Sequence, residues 1–360
     1  MLKSLNLTCP INTLGYGCVG TNLFKEFCAA SVDVKLWPIG QVDCHPSLMP
    51  LVQRAYNEKH NYYPRAPSLR IWHQHDLAQH VGRGVHVGYP IFELDRFTQA
   101  EKNEVSVMDV VLVCSQWAKT VVLDNCPLGG KQVEVVPLGV DREIFNEQVG
   151  EPDPSWTTFL NVGKWEYRKG HDIIAEAFSK AFNPKDRVRL WMMNHNPFIS
   201  EEDDKAWQNM YRNTEMGHRI NFLPRVQSHK EVAKVMAEAD CGVFPARGEG
   251  WNLELLEMMS MGKQVIATDY SAHTEFCNEN NCYLIPITDT EEAYDGVFFK
   301  GQHEGGRWAA LGNEQIDCLV SHMRAVHDNK QENVAGIKTA QKLTWKFAAQ
   351  TILGSSEIWG

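Results

Sequence analysis

An α/β fold in two Rossmann-like domains, each built on a parallel sheet, is predicted by three features of the sequence. The chain has 360 residues, more than one hydrophobic core usually serves. Short apolar runs alternate along it with segments of 3.6-residue periodicity, the pattern of a parallel sheet covered by helices on both faces. The stretch NEQVGEPDPSW (146–156) is acidic and polar and holds two prolines, which suits an exposed connection and sets the domain boundary near residue 150.

In the first half, the strand candidates are LNLTCPI, DVKLWPI, LRIWHQH, VVLVCS and QVEVVPL, with helical or irregular segments between them. The second half is cleaner. TTFLNVG (157–163) reads as a strand and leads into a helix over His171 to Phe182, whose Ile173, Ile174, Ala177, Phe178 and Ala181 keep the helical period. RVRLWMMN and RINFLPRV (219–226) are the next strands. Ser228 with Glu231 three residues on forms a capping box opening a helix that buries Val232, Val235, Met236 and Ala239. After the strand CGVFPA, a helix over Leu253 to Met261 stops at Gly262, which is free to adopt the positive φ that follows a helix end, and the strand QVIATD comes next.

Hydrophobic residues make up 43% of the chain and charged residues 22%, an ordinary globular composition. The net charge is −10, which excludes a protein whose whole surface grips nucleic acid or an anionic membrane. Most of the acidity falls after residue 150. The ten cysteines are scattered with no C-x-x-C pair, and the first residues lack the continuous apolar core of a secretory signal. Reduced thiols in a cytoplasmic protein are therefore expected. No apolar run approaches the length that spans a bilayer.

Two constellations can carry chemistry. In PARGEGWNLELLEMMSMG, Glu249 follows a strand and Glu257 lies eight residues on, within the next helix. Ligands of doubly wound sheets bind beyond the carboxyl ends of the strands, where two carboxylates accept hydrogen bonds from a sugar or a ribose diol; a solvated helix face with an incidental loop acid gives the same spacing. In VGKWEYRKGHD, Lys164 ends a strand and Lys169 with Gly170 opens a helix. Fixed cations beside unpaired backbone N–H groups are equipment for binding an anion such as a diphosphate, and the alternative is a basic surface turn.

Together, the order strand, G-K-x-x-x-x-K-G, two further strand units, E-G-W-N-L-x-L-L-E, strand, S-A-H-T-E resembles the retaining glycosyltransferases of family 4, which have the GT-B fold. PLGVDREIF (137–145), VVLVCSQWAK, the LGYG around Gly15 and Gly17, and TWKFAAQTIL near the C-terminus extend the likeness over most of the chain. The resemblance implies an acceptor-binding domain at 1–150 and a nucleotide-sugar-binding domain at 151–340, their sheets facing across a cleft. Residues 341–360 would return to the first domain as a helix. By the same resemblance, Glu249 meets donor-sugar hydroxyls, Glu257 the ribose, Lys164 and Lys169 the diphosphate, and Gly15 and Gly17 form a loop that lets backbone approach the phosphates. His75 stands near the donor sugar, with His73 the alternative. The implied catalytic set is His75, Lys164, Lys169 and Glu249; the donor-binding set adds Gly15, Gly17, Gly163, Gly250, Trp251, Asn252, Leu253 and Glu257. Two departures stand out: Lys164 occupies a position where arginine is common, losing the bidentate fork, and Asn252 and Glu254 stand where glycine and proline are frequent.

The cluster His73, His75, Asp76, His80 and His86 shows no closed ligand set, and the D-x-D of the other large glycosyltransferase fold is missing from the sequence, so no metal and no other cofactor is expected. Arg54, Lys59, Arg65 and Arg70 interleave with Tyr56, Tyr62 and Tyr63, which reads as a solvated acceptor loop or as a grip for an anionic acceptor. The expected activity is retaining, metal-independent transfer of a hexose from a nucleotide-diphosphate sugar, foremost a UDP-sugar, to a glycan or lipid-linked sugar. The alternatives are transfer onto a hydroxymethylated base in DNA, a sugar-nucleotide epimerase or phosphorylase of the same fold, and a catalytically silent carbohydrate-binding protein.

Overall fold

The computed structural model describes residues 3–130 and 132–360, and the chain forms two compact units. The first takes the residues up to Gly139 together with Gln302–Gly306 and Leu343–Gly360; the second takes Val140–Gly301 and Arg307–Lys342. The 146–156 stretch thus lies within the second unit.

The first unit is built on six strands, β1 (Ser4–Cys9), β2 (Asp33–Pro38), β3 (Ser68–Arg70), β4 (His86–Gly88), β5 (Val110–Val113) and β6 (Val133–Val135). They lie in the order β2-β1-β3-β4-β5-β6 with every pair parallel. Chain direction along the sheet reverses between β1 and β3, so the loops leaving these two strands share the crevice where open α/β sheets bind ligands. The helix Trp345–Gly354 belongs to this unit. Gly139 sits against its start, since a Cβ there would come 2.2 Å from the Trp345 nitrogen, and the Ser355 hydroxyl donates to Glu134 Oε1 at 2.7 Å.

Two sequence expectations change here. The strand read through LRIWHQH stops at Arg70, because the Arg70 guanidinium binds the Asp76 carboxylate at 2.6 Å and the Asp76 carbonyl at 2.5 Å and folds the segment back into a helical turn over Gln74–Asp76. Arg70 is accordingly buried and leaves the basic patch read at 54–70. Strand β4, three residues long, escaped the sequence reading.

The second unit carries β7 (Thr157–Gly163), β8 (Val188–Asn194), β9 (Ile220–Phe222), β10 (Cys241–Phe244), β11 (Gln264–Thr268) and β12 (Tyr283–Ile285) in the order β12-β11-β10-β7-β8-β9, again all parallel. β7 is buried along nearly its whole length, as its continuous apolar run requires of a central parallel strand. The helix His171–Ala181 buries Ile173, Ile174, Ala177, Phe178 and Ala181, and Phe159 of β7 packs on Phe178 and Phe182 with ring centres 6.3 and 5.6 Å away. RINFLPRV forms a strand only over Ile220–Phe222. The helix His229–Ala237 is capped by Ser228 as expected, but it buries Ala233, Met236 and Ala237 while Val232 and Val235 stay half-buried. An antiparallel hairpin pairs Thr290–Glu292 with Arg307–Ala309. Here the chain reverses direction between β7 and β10, whose carboxyl ends are Gly163 and Phe244.

Candidate active site

The loops leaving β7 and β10 bring five charged side chains into one array. Lys164 Nζ binds Glu166 Oε1 at 2.7 Å, Glu166 Oε2 binds Arg168 at 2.6 Å, Arg168 binds Glu249 Oε2 at 3.0 Å, and Glu249 Oε1 binds Lys169 Nζ at 2.7 Å. Glu166, Arg168 and Glu249 are buried and Lys169 is half-buried; the side chain of Lys164 keeps 39% of its surface exposed and forms the solvent end of the array. Burial works to raise the Glu166 carboxyl, but Arg168, Lys164 and Lys169 prevail and hold it near a pKa of about 2. Burial likewise opposes ionisation of Glu249, and Lys169 and Arg168 hold it well below the usual carboxylate range. Lys169 is disfavoured by burial and kept charged by Glu249 and Glu254. The array is therefore fully ionised at neutral pH, with three cations against two carboxylates.

The local sequence dictates this convergence. Gly163 ends β7 at φ +147, and a Cβ there would come 3.3 Å from Lys169 Cδ, so glycine lets the lysine stem lie across the strand end. Gly170 has φ +72, and its Cβ would fall 2.0 Å from the Pro245 carbonyl, which fixes the close approach of the two loops. His171 follows at the first position of the helix. Its Nδ1 accepts from the Glu166 N–H at 3.1 Å and its Nε2 bonds Asn161 Oδ1 at 3.0 Å. Burial above all pushes its pKa down to about 3, so the ring is neutral. Arg247, 1% exposed, grips both Asp172 oxygens at 2.7 and 2.8 Å and Glu291 at 2.7 Å, tying the β10 loop to the start of the helix and to the hairpin.

Glu249 is anchored from its backbone as well: its N–H donates to Ser271 Oγ at 2.9 Å, and its carbonyl accepts from Ala272 at 3.2 Å. Asn252 adopts φ +80 and caps the helix Leu253–Ser260 by accepting from the Leu255 N–H at 3.2 Å. Its amide donates to His273 Nε2 at 3.0 Å, while His273 Nδ1 donates to the Thr268 carbonyl at 3.0 Å. Burial keeps His273 neutral, as this pattern requires. Trp251 points its indole into the core against Phe276, ring centres 4.8 Å apart, so it offers the loop only its backbone. Gly250 is buried and Leu253 half-buried. Glu257 is half-buried, and its carboxylate makes no hydrogen bond or ion pair among the described residues. Burial, then Glu254 and Asp141, raise its carboxyl well above the usual range.

At the corresponding edge of the first unit, a Cβ on Gly17 would fall 1.9 Å from Asn12 Oδ1, whereas Gly15 has open space around it. Tyr16 bonds the Ile91 carbonyl at 2.6 Å and packs on His73, ring centres 4.6 Å apart. His73 stacks in turn on the exposed His75 at 5.3 Å and 13°. Gly15 and Gly17 lie in the first turn of the helix Gly15–Ala29, not in a loop as the sequence reading had them, and Tyr16 between them joins this helix start to His73 and His75 of the β3 loop. His80 and His86 form a separate stack, and no group of three or more metal-capable side chains occurs among the described residues.

Sequence reading missed Arg168, Glu166, Arg247 and the Asn161–His171 pair. The clue was polar residues inside segments that pack: Asn161 within the apolar run of β7, and alternating charges in K-W-E-Y-R-K just before a buried helix.

Residues 157–298 match the family model described as Glycosyl transferases group 1. The phosphatidyl-myo-inositol mannosyltransferase of Mycobacterium leprae is 23% identical over 319 residues, covering 84% of this chain and 74% of that one. The serotype-specific mannosyltransferase WbdA of Escherichia coli is 23% identical over 61% of this chain and 24% of its own, so this chain spans about a quarter of that relative. Among solved structures, a sucrose-phosphate synthase from Thermosynechococcus elongatus superposes with a TM-score of 0.70 at 15% identity, covering 97% of each chain. Anabaena HepE, in complex with UDP, superposes at 0.64 with 16% identity over 98% of each chain. These likenesses establish the fold as GT-B. No described helix is long and apolar enough to cross a membrane.

Proposed function

We propose, for a chain that belongs to the group 1 glycosyltransferases and has the GT-B fold, that it is a retaining, metal-independent hexosyltransferase of family 4. It takes its donor as a nucleotide-diphosphate sugar, foremost a UDP-sugar, and moves the hexose to a hydroxyl of a glycan or lipid-linked sugar. The observation that carries this reading is the buried array Lys164, Glu166, Arg168, Glu249 and Lys169 at the β7/β10 switch point. The UDP-glucose held by Anabaena HepE supports the choice of donor.

In this reading the diphosphate lies against Lys164 and Lys169 at the N-terminus of the helix His171–Ala181, where backbone N–H groups add to the positive potential. As the bond from the anomeric carbon to the diphosphate oxygen breaks, negative charge grows on the diphosphate, and the cations stabilise it without having to reorganise. The acceptor oxygen bonds to the anomeric carbon on the same face, and its proton passes to the departing diphosphate. Glu249, held ionised by Lys169 and Arg168, accepts from the donor-sugar hydroxyls, and Glu257 from the ribose. His75, with Gly15 and Gly17 at the switch point of the first unit, is a further candidate. Because three protein cations supply the charge, activity is expected to withstand chelators.

The test is release of nucleoside diphosphate from a panel of nucleotide sugars, with and without pooled acceptors and with and without EDTA, for the native chain and for Lys169→Ala and Glu249→Ala. Acceptor-dependent release lost in both variants supports the reading, and product analysis separates transfer from epimerisation or phosphorolysis. Release that both variants retain would overturn it, as would no release by a folded protein.

A further inference from the structure

A cavity of about 310 Å³ in the second unit shares Glu166 with the charged array but none of the other four charged residues. Its walls are aromatic: Trp165, Tyr167, Trp207 and Phe298 line it, and Trp165 and Trp207 lie parallel with ring centres 5.6 Å apart. Its polar groups, apart from Glu166, include the carboxylates of Asp203 and Asp295. Asp295 Oδ1 accepts from the backbone N–H groups of Val297, Phe298 and Phe299, each at 2.8 Å, which fixes the loop that presents Phe298. Asp203 Oδ2 takes the Ser200 hydroxyl at 2.9 Å at the start of the helix Glu201–Arg212. At the rim, the Lys164 ammonium lies 5.5 and 5.4 Å from the Phe198 and Phe298 ring centres.

The ligand class follows from this inventory. An anion is excluded, because the lining holds three carboxylates and neither lysine nor arginine. The carboxylates have no outstanding call for a cation: Glu166 has Lys164 and Arg168, Asp295 has three backbone N–H groups, and Asp203 sits in the first turn of a helix, where the dipole favours its charge. What remains is a pair of carboxylates, each with an oxygen still able to accept a hydrogen bond, beside flat apolar walls in a space suited to a small ring. Neutral hydroxyl donors on an otherwise apolar ring face satisfy both.

We propose that this cavity is a sugar-binding subsite outside the donor site, taking one neutral hexose ring of the glycan on which the enzyme acts; the identity of that glycan as the occupant's source rests on the function proposed above. The probes are the methyl α-glycosides of mannose, glucose and galactose, followed by saturation-transfer NMR with the native chain, Trp207→Ala and Phe298→Ala, with and without saturating UDP. At least one glycoside should bind saturably with UDP present, and its affinity should fall at least tenfold in both variants while UDP binds them as it binds the native chain. Phe298 sits on a surface loop, so its variant keeps the test independent of any loss of packing at Trp207.

Absence of saturable binding by all three glycosides would overturn the inference. So would binding that UDP or Lys169→Ala abolishes, binding unchanged in both variants, or displacement of the glycoside by tetramethylammonium, which would assign the cavity to a cation. A glycoside that binds as described to a chain that fails to bind any nucleotide would uphold the subsite and refute the donor site, so the two failures are distinguishable.

Discussion

Replacing Glu166 by glutamine removes a charge while nearly conserving shape, and its cost can be worked from the array. The carboxyl is held at about 2 against an ordinary 4.5, the net of burial, which opposes ionisation, and of the Arg168, Lys164 and Lys169 cations, which favour it. A depressed folded-state pKa contributes stability that is present above about pH 4.5 and is lost as pH falls toward 2. At 1.36 kcal/mol per pKa unit, the shift corresponds to about 3 kcal/mol at neutral pH. For a unit of this size that is a fall in melting temperature of roughly 6 to 12 °C. Lys164, at the solvent end of the array, loses its partner at little cost, whereas Arg168 and Lys169 are left sharing the single carboxylate of Glu249, and that excess positive charge is part of the cost. The assay is urea unfolding of native and Glu166→Gln proteins at pH 7 and at pH 3, with the difference taken at each so that every other carboxylate cancels. The difference should shrink to less than half at pH 3. A difference that is the same at both pH values, or below about 1 kcal/mol at pH 7, would refute the claim that the array stabilises the ionised carboxylate.

Lys169→Ala should lower nucleoside diphosphate release on the order of 10²- to 10³-fold, the usual cost of deleting one group that meets developing charge; a loss under tenfold in a folded variant contradicts its placement at the leaving group. Gly17→Ala puts a Cβ 1.9 Å from Asn12 Oδ1, whereas Gly15→Ala meets nothing within 4 Å. Circular dichroism melts should therefore show a clear loss for the first and none for the second, and equal melting temperatures would show that the β1 loop is not packed as described. His273→Ala leaves the buried Asn252 amide without its acceptor, which should cost about 1 to 3 kcal/mol; an unchanged urea midpoint would mean that this bond does not hold the loop.

The second sheet was legible because its strands are buried on both faces and therefore read as unbroken apolar runs, with helices of clear period between them. TTFLNVG is β7 residue for residue, and Gly262, at φ +71, ends the helix where the sequence suggested. The first unit was harder to read because its central strands are three residues long and a side chain decides where one of them stops: no local propensity ends a strand at Arg70, but its salt bridge to Asp76 does. The same contrast holds at the site. Lys164, Lys169, Glu249 and Glu257 could be picked out because motif spacing marks them. Arg168 could not, since an arginine in a charged turn reads as solvated until the fold buries it between two carboxylates. Its burial also changes the meaning of the motif. Lys169 and Glu249 are paired in the chain as it stands, so under the proposed function a diphosphate arriving at the lysine would meet a cation already shared with the carboxylate proposed to hold the sugar. Arg168, bonded to Glu249 Oε2 and to the Gly248 carbonyl, would keep that carboxylate in place as the lysine turned to the phosphate, so that under the proposed function one connected network would recognise both halves of the donor.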